Sequence, residues 1–178
     1  MTITDPTAIP TDRHDHMTFV AEYARLAMDE HGLAGVPFAW DNGKRRWGAC
    51  HWKRSGYGGT PTVSKITLSR HLCAINSLTD CEDVILHEIA HALAGYDAGH
   101  GYAWKRVARE IGADPSRCYE TDKVNTPAAP WVGTCPNGHT SDRHRLTEKA
   151  KRSSCGKCCS RYNPDYHYVW KRNPEYRG

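Results

Sequence analysis

The sequence predicts an α+β domain followed by a short basic segment, and three observations support this prediction. Apolar residues recur with a helical period near the N-terminus, Lys65–Ser69 alternates as a strand does, and a long apolar helix stops at Gly95. The 178 residues are 39% hydrophobic and 25% charged, which excludes extensive low-complexity disorder. No apolar run approaches the roughly 20 residues that span a bilayer, so no membrane partner is expected.

The predicted order within residues 15–125 is one helix, a hairpin, a further strand and two helices. Asn42-Gly43 favours a type I′ turn, so the strands on either side of it are expected to form a small antiparallel sheet. Thr79 and Glu82 form a capping-box pattern at the start of the apolar helix. The predicted bounds are Asp15–His31, Val36–Trp40 with Arg46–Trp52, Lys65–Ser69, Thr79–Gly95 and Tyr102–Ile111.

Charge and composition change along the chain. Residues 1–14 are polar and are expected to be a flexible leader without an export signal, which predicts a cytoplasmic location. Residues 126–130 resemble a linker.

Residues 128–178 contain ten Lys and Arg against four Asp and Glu, which is typical of a segment that binds a polyanion. Eight cysteines and eleven histidines favour metal binding over disulfides in a reducing compartment.

The apolar helix contains the HExxH pattern of zinc hydrolases. Residues four apart on a helix differ by about 40° in azimuth and 6 Å in rise, so His87 and His91 can hold one ion together. Glu88 projects beside that ion and can take a proton from the water that the metal activates. This spacing predicts a zinc site with Glu88 as its catalytic residue.

A third protein ligand is expected shortly after this helix. His100 lies between Gly99 and Gly101, which allow the chain to turn sharply and present an imidazole to the same ion. Three protein ligands with one open position are typical of catalytic zinc. Asp97 is the alternative third ligand. The other histidines considered are expected on the surface or in the core: His31, His51 and His71.

This region resembles the active site of the SprT-like zinc metalloproteases, the group that includes SprT and Spartan. The similarity rests on His87-Glu88-x-x-His91, on the pair His100-Gly101 and on Trp104, with weaker likeness in the strands before the helix. The resemblance implies a zincin-like domain of an N-terminal helix, a small sheet, the HExxH helix and a following helix, with a C-terminal zinc ribbon. The strand at Lys65–Ser69 is the candidate for the exposed edge that aligns an extended substrate.

The C-terminal segment, residues 131–178, has the spacing of a small zinc ribbon. Cys155 and Cys158 form a CxxC pair, and Cys135 with His139 forms the opposing knuckle. The position where many SprT-like proteins have a second cysteine is Gly138, so His139 must substitute for it. His144 and Cys159 are the alternatives for the fourth ligand. Structural zinc could supply the folding energy that a segment of this size lacks.

Basic side chains around this ribbon predict binding to DNA. Basic groups hold phosphates, and the tyrosines between them can stack on bases, although Tyr168 and Trp170 are expected to form the ribbon's own core. Binding to DNA would make the protein nucleoid-associated. The candidate contacts are Arg143, Arg145, Lys149, Lys151 and Arg152.

The function favoured by these residues is zinc-dependent peptide hydrolysis with two zinc ions per chain, one catalytic and one structural. The resemblance implies protein substrates that are unfolded, DNA-bound or crosslinked to DNA, as in DNA repair. Two alternatives remain open at this point. One is a non-proteolytic DNA-binding or regulatory protein with structural zinc, and the other is a zinc hydrolase of a non-peptide substrate.

Overall fold

The computed structural model describes residues 12–116 and 124–176. The chain divides between Thr126 and Pro127 into two compact units, each with its own sheet. The first unit is mixed α and β, as predicted, and its elements are α1 (Arg13–Glu30), β1 (Phe38–Asp41), β2 (Gly48–Arg54), β3 (Pro61–Ser69), α2 (Arg70–Cys73), α3 (Leu78–Ala94), a 3₁₀ turn (Tyr96–Ala98) and α4 (Tyr102–Glu110).

Helix α1 begins slightly earlier than the sequence predicts. Asp12 caps it by accepting a hydrogen bond from the backbone N–H of Asp15 at 3.0 Å, so residues 12–14 belong to the helix start. The remaining residues of the expected leader, 1–11, lie outside the described part. The buried face of α1 packs with α3 and β3 into one hydrophobic core, which includes Val20, Ala24, Met28, Ile66, Leu68, Ile85 and Ile89.

The predicted antiparallel hairpin is wrong, because β3 lies between β1 and β2. The strand order is β1-β3-β2, with β1 parallel and β2 antiparallel to β3, so the sheet is mixed. The Asn42-Gly43 segment does not close a two-residue turn; the Asp41 carboxylate accepts the Gly43 N–H at 2.7 Å instead. The central position of β3 places Ile66 and Leu68 in the core with α1 and α3, where both are fully buried, and this nonlocal gain outweighs the local turn preference.

The central position of β3 also overturns the expectation for Lys65–Ser69. Residues 66–69 pair with β1, and residues 65–68 pair with β2, so this stretch has no free edge. Strand β2 is an edge strand of the sheet and packs against α3. An extended chain can therefore pair with β2 but not with β3.

Helix α3 starts at a different cap from the one predicted. Ser77 is the N-cap, and its hydroxyl accepts the Asp80 N–H at 3.2 Å, while the Asp80 carboxylate accepts the Ser77 N–H at 3.2 Å. This is a capping box that begins two residues before the one expected from Thr79 and Glu82. The earlier start places Leu78 and Cys81 in the buried face of the helix.

The second unit is a three-stranded antiparallel sheet with short helical turns. Strand β4 is the central strand of this sheet. A Cβ atom at Gly133 on β4 would lie 2.8 Å from the Trp170 ring, so the glycine leaves the space that the indole occupies. The Trp170 N–H donates to the Ala150 carbonyl at 3.1 Å. The elements are β4 (Trp131–Thr134), β5 (Thr140–Arg143), α5 (Glu148–Lys151), a 3₁₀ turn (Pro164–Tyr166) and β6 (Val169–Arg172).

None of the helices in residues 12–116 and 124–176 is long and apolar enough to cross a membrane.

The Ser77 cap provides a test of the α3 start. Ser77→Ala should lower the free energy of unfolding by about 1 kcal/mol, because the Asp80 N–H loses its partner at the helix end. Urea denaturation of the zinc-free chain measures this loss. Ser55→Ala, at an exposed position in the loop after β2, is the matched control and should change stability by less than about 0.5 kcal/mol. Equal losses in the two variants would contradict the assigned cap.

Candidate metal centres

Helix α3 and the turn after it bring three histidines together. His87 and His91 lie one helical turn apart on α3, and the chain then reverses through Gly95 and Gly99, whose φ angles are +95° and +49°. The Nε2 atom of His100 lies 3.0 Å from His87 Nε2 and 3.1 Å from His91 Nε2. The three imidazoles predicted from the sequence therefore converge on one point.

The spacing of these nitrogens fits a zinc ion. Three ligand nitrogens at about 2.0–2.1 Å from a tetrahedral zinc lie about 3.3 Å apart, close to the separations found here. Three imidazole nitrogens also leave one coordination position open, as catalytic zinc sites do. Among the described residues, the group of three contains neither Asp97, the alternative third ligand, nor His31, His51 or His71.

Burial favours the metal-binding form of two of these histidines, His87 and His91. Burial, followed by the charge of His100, lowers the pKa of His87 to about 4. Burial, followed by the charges of His87 and His100, lowers the pKa of His91 to about 4. Both imidazoles are therefore neutral at pH 7, and a neutral imidazole has a free nitrogen lone pair for a metal ion.

Glu88 lies beside these histidines but outside their group, as its place in the motif predicts. Only 7% of the residue is exposed, and its carboxylate accepts a hydrogen bond from the Cys50 N–H on β2. Burial raises the pKa of Glu88 to about 7, although the Cys50 hydrogen bond acts in the opposite direction. A buried carboxylate with a raised pKa is a suitable proton acceptor near neutral pH.

Gly48 on β2 makes room for this carboxylate. A Cβ atom at Gly48 would lie 2.9 Å from both Cγ and Oε1 of Glu88 and 3.0 Å from a Leu68 methyl carbon. This glycine was not predicted to have a role beyond its place in a strand. The sequence offered one indication: a glycine within a predicted strand often marks a position where another part of the chain approaches the backbone closely.

Trp104 forms an apolar floor beneath the histidines. Its ring centroid lies 4.6 Å from those of His87 and His100 and 5.3 Å from that of His91, and the residue is fully buried. The sequence placed Trp104 on the apolar face of a helix, but contact with all three imidazoles was not predicted. Packing of this kind fixes the ring orientations and keeps water away from one side of the site.

The imidazoles and Glu88 open into a cleft of about 550 Å³. One wall is the segment 45–50 with Trp52, which includes most of edge strand β2. Side chains from α2 and α3, together with two residues near the end of the first unit, form the rest of the lining: Leu72, Val84, Val124 and Thr126. A cleft with an open strand edge and a metal-binding cluster can accommodate an extended chain.

The second unit contains a four-residue cluster of three cysteines and one histidine. Its separations are 3.8 Å between the Cys135 and Cys158 sulfurs, and 3.2 Å and 3.6 Å from His139 Nδ1 to the sulfurs of Cys158 and Cys155. Tetrahedral zinc separates two sulfurs by about 3.8 Å and a sulfur and a nitrogen by about 3.6 Å, so the donor set fits a closed structural site. Among residues 124–176, this group includes neither His144 nor Cys159.

Local hydrogen bonds support this cluster. Gly138, with φ +78°, turns the first knuckle, and its N–H donates to the Cys135 carbonyl at 2.9 Å. A hydrogen bond from the Tyr168 side chain is the main cause that lowers the pKa of the Cys155 thiol, to about 6. The thiolate is the form that binds metal, so this hydrogen bond favours the binding form of Cys155, whereas burial raises the pKa of the Cys158 thiol to about 11.

The predicted DNA contacts have different surroundings. The Arg143 guanidinium lies over the Trp170 ring at 5.8 Å, and Lys151 pairs with Glu148 at 2.7 Å. Lys149 and Arg152 line a cavity of about 620 Å³ together with Arg161. Arg145 is exposed. Of the five predicted basic residues, Lys149 and Arg152 thus line this cavity.

The α3 histidines and His100 in the following turn form a group that could hold a metal ion, with Glu88 beside it. The sequence model of the SprT-like family matches residues 17–124, which is more than half of the chain. The chain therefore belongs to the SprT-like family, and this family suggests a zinc-metallopeptidase type of domain. A comparison with curated proteins gave no match.

The two clusters predict two zinc ions per chain. Replacing Cys155 and Cys158 by serine should remove one ion and leave the other, because the two donor sets belong to separate units. Elemental analysis of the purified chain measures the metal content. A single ion in the wild type that is lost in His87→Ala would contradict the ribbon site.

The assignment of the third histidine has a matched control. His100→Ala should weaken zinc binding at the α3 site by more than the roughly 10–100-fold typical of losing an outer-shell partner, because a direct donor is removed. Asp97→Ala, in the same turn, should leave zinc affinity unchanged. Competition with a chelator measures both constants, and the reverse pattern would identify Asp97 as the ligand.

Proposed function

We propose that the chain is a zinc-dependent endopeptidase in which Glu88 is the general base. One observation carries the proposal: a buried carboxylate lies beside three convergent imidazoles and opens into a cleft. His87, His91 and His100 would hold the zinc ion. When bound, zinc supplies Lewis-acid activation of water and of the scissile carbonyl.

The chain's own residues perform the proton transfers. Glu88 takes a proton from the attacking water and later delivers it to the leaving amine, so one carboxylate serves both steps. The Cys50 N–H fixes the orientation of that carboxylate, and Gly48 leaves the space that it occupies. Trp104 excludes water from beneath the imidazoles, which strengthens electrostatic interactions within the site.

Edge strand β2 is the proposed alignment surface for substrate. Its inner edge pairs with β3, and the same strand forms part of the cleft wall beside Glu88. An extended peptide that pairs with the outer edge would bring its backbone past the metal centre. Backbone pairing of this kind depends little on sequence, which favours unfolded proteins as substrates.

Two features of the site favour this function over its alternatives. A purely structural metal site in a regulatory protein has no need for a buried carboxylate beside the ligands. A hydrolase of a small non-peptide substrate has no need for an open strand edge along its cleft. Both features are expected in an enzyme that cuts extended chains.

The first test replaces the proposed base. Glu88→Gln should lower the rate of casein cleavage by about 10²–10⁴-fold, because the amide cannot accept the proton. Zinc content should stay the same, since the three imidazoles are retained. Glu82→Gln, on the same helix, is the matched control and should cleave casein at the wild-type rate. Normal proteolysis by Glu88→Gln would refute the mechanism.

The second test displaces the base without altering it. Gly48→Ala should lower the cleavage rate by about 100-fold, because its Cβ would move the Glu88 carboxylate and misplacement of about 1 Å carries that cost. Gly35→Ala is the matched control, since its φ is not positive and nothing lies within 4 Å of the added Cβ. If both alanine variants cleave casein equally well, the contact between Gly48 and Glu88 has no role in catalysis.

We also propose that the second unit binds DNA, so that the peptidase acts on DNA-associated or DNA-crosslinked proteins. The supporting observation is the cavity that Lys149, Arg152 and Arg161 line together with Ser153, Ser154, Ser160 and Tyr162. Its lining also contains one carboxylate, Glu148, which pairs with Lys151 at 2.7 Å. Three cations and several hydroxyl groups suit phosphate oxygens, and 64% of Tyr162 is exposed for stacking on a base. Trp170 and Tyr168 are not part of this surface, since they pack on one another at 5.5 Å.

Salt dependence tests the DNA proposal. Alanine at Lys149, Arg152 and Arg161 together should weaken binding to a single-stranded oligonucleotide and lower the salt slope by about 0.7 for each phosphate that is no longer neutralised. Lys105→Ala, on α4 in the other unit, is the control and should keep the wild-type slope. Fluorescence anisotropy at several salt concentrations measures both, and an unchanged slope in the triple variant would exclude this surface.

A further inference from the structure

Trp52 is an aromatic side chain in the wall of the cleft that the proposed mechanism does not use. Trp47, which also lines the cleft, packs against the hydrophobic core of the first unit. The ring of Trp52 contacts Tyr96 instead, edge to face, with centroids 5.7 Å apart and an interplanar angle of 80°. Trp52 thus lines the cleft, and its contact with Tyr96 restrains the orientation of its ring.

A short series of contacts supports this indole. Tyr96 lies in the 3₁₀ turn that leads to His100, and half of its surface is exposed. The Arg54 guanidinium lies 5.2 Å from the centroid of the Tyr96 ring and donates to the Gly59 carbonyl at 3.2 Å. Cation–π and aromatic contacts of this kind restrain all three side chains.

The position of Trp52 along β2 relates it to the site of chemistry. Gly48 and Cys50 on this strand contact Glu88, and Trp52 follows Cys50 by two residues, about 7 Å along the strand. The register of the β2–β3 pairing shifts between His51 and Trp52 because β3 contains one extra residue, Ser64. Strand β2 itself is regular there, so Trp52 lies on the same face of the sheet as Gly48 and Cys50. A peptide extended along β2 would therefore place one side chain at Trp52, about two residues from the bond near Glu88.

We propose that Trp52 forms a specificity subsite for a bulky apolar side chain of the extended substrate. This inference rests on the proposed peptidase function and adds a preference at one substrate position. The indole offers apolar surface to a substrate side chain. The nearby cation, Arg54, already contacts the Tyr96 ring and the Gly59 carbonyl, so it is not placed to pair with an acidic substrate side chain. Apolar substrate residues are therefore favoured over acidic ones. Tyr96 acts through Trp52 as a positioning residue.

Cleavage-site mapping tests the preference. The zinc-loaded full chain digests denatured casein, and mass spectrometry records the residues on either side of each cut. In the wild type, large apolar residues should be enriched about 10-fold over alanine at one position within three residues of the bond. Trp52→Ala should abolish that enrichment and keep both zinc ions, whereas Trp52→Phe should retain part of it.

Control variants separate the subsite from general effects on the fold. Tyr57→Ala removes a fully exposed aromatic residue in the loop after β2 and should leave the enrichment unchanged. Tyr96→Phe keeps the ring that supports Trp52 and should also retain the enrichment. Loss of zinc in Trp52→Ala would show that the residue is structural, and an unchanged preference would overturn the proposal.

A binding measurement keeps the inference independent of turnover. Zinc-loaded Glu88→Gln should bind a fluorescein-labelled peptide with one central phenylalanine about 10-fold more tightly than its alanine counterpart, and Trp52→Ala in that background should remove the difference. If the wild type cleaves nothing but this difference persists, the peptidase function fails and the subsite stands. If Trp52→Ala instead weakens only oligonucleotide binding, the subsite proposal is wrong.

Discussion

The metal centre depends on the close approach of helix α3 to strand β2. Gly48 has no side chain, so Glu88 can lie against the strand and accept the Cys50 N–H, while His87 and His91 line the cleft. A larger residue at Gly48 would displace the carboxylate. The same contact places the edge of β2 beside the imidazoles, so one packing constraint positions both the base and the surface that would align a substrate.

The two clusters differ in donor number and in surroundings, and these differences favour different roles for similar residues. The α3 site has three imidazoles from a helix and its following turn, an apolar floor and an open side, which suit exchange of a ligand at the metal. The ribbon has three sulfurs and one imidazole in a closed set, within a unit that has few fully buried side chains. Zinc there would replace the hydrophobic core that a segment of this length cannot build.

The candidate ligands that the structure brings together are specified by nearby residues in the sequence. Three local patterns specify these residues: the HExxH spacing, the glycines around His100 and the CxxC pair. A helix, a turn or a knuckle at each pattern brings its side chains together. His139 was one of the candidates for the fourth ligand, because it lies one residue beyond Gly138, where many SprT-like proteins have a second cysteine. The sequence left His144 and Cys159 open, and only the folded positions of the sulfurs separate them from His139.

The predictions that failed required nonlocal information. Asn42-Gly43 is a strong local signal for a hairpin, yet β3 lies between the two strands, where Ile66 and Leu68 are buried in the core with α1 and α3. The N-cap of α3 is Ser77 and not the predicted Thr79. With this start, Leu78 and Cys81 belong to the buried face of the helix. Strand order in turn decides which edge faces the cleft, and strand order could not be predicted from local patterns. Substrate alignment was therefore predicted for β3, whereas the free edge beside Glu88 belongs to β2. A motif can therefore locate the reacting groups, whereas the path of the substrate past them depends on the topology of the whole sheet.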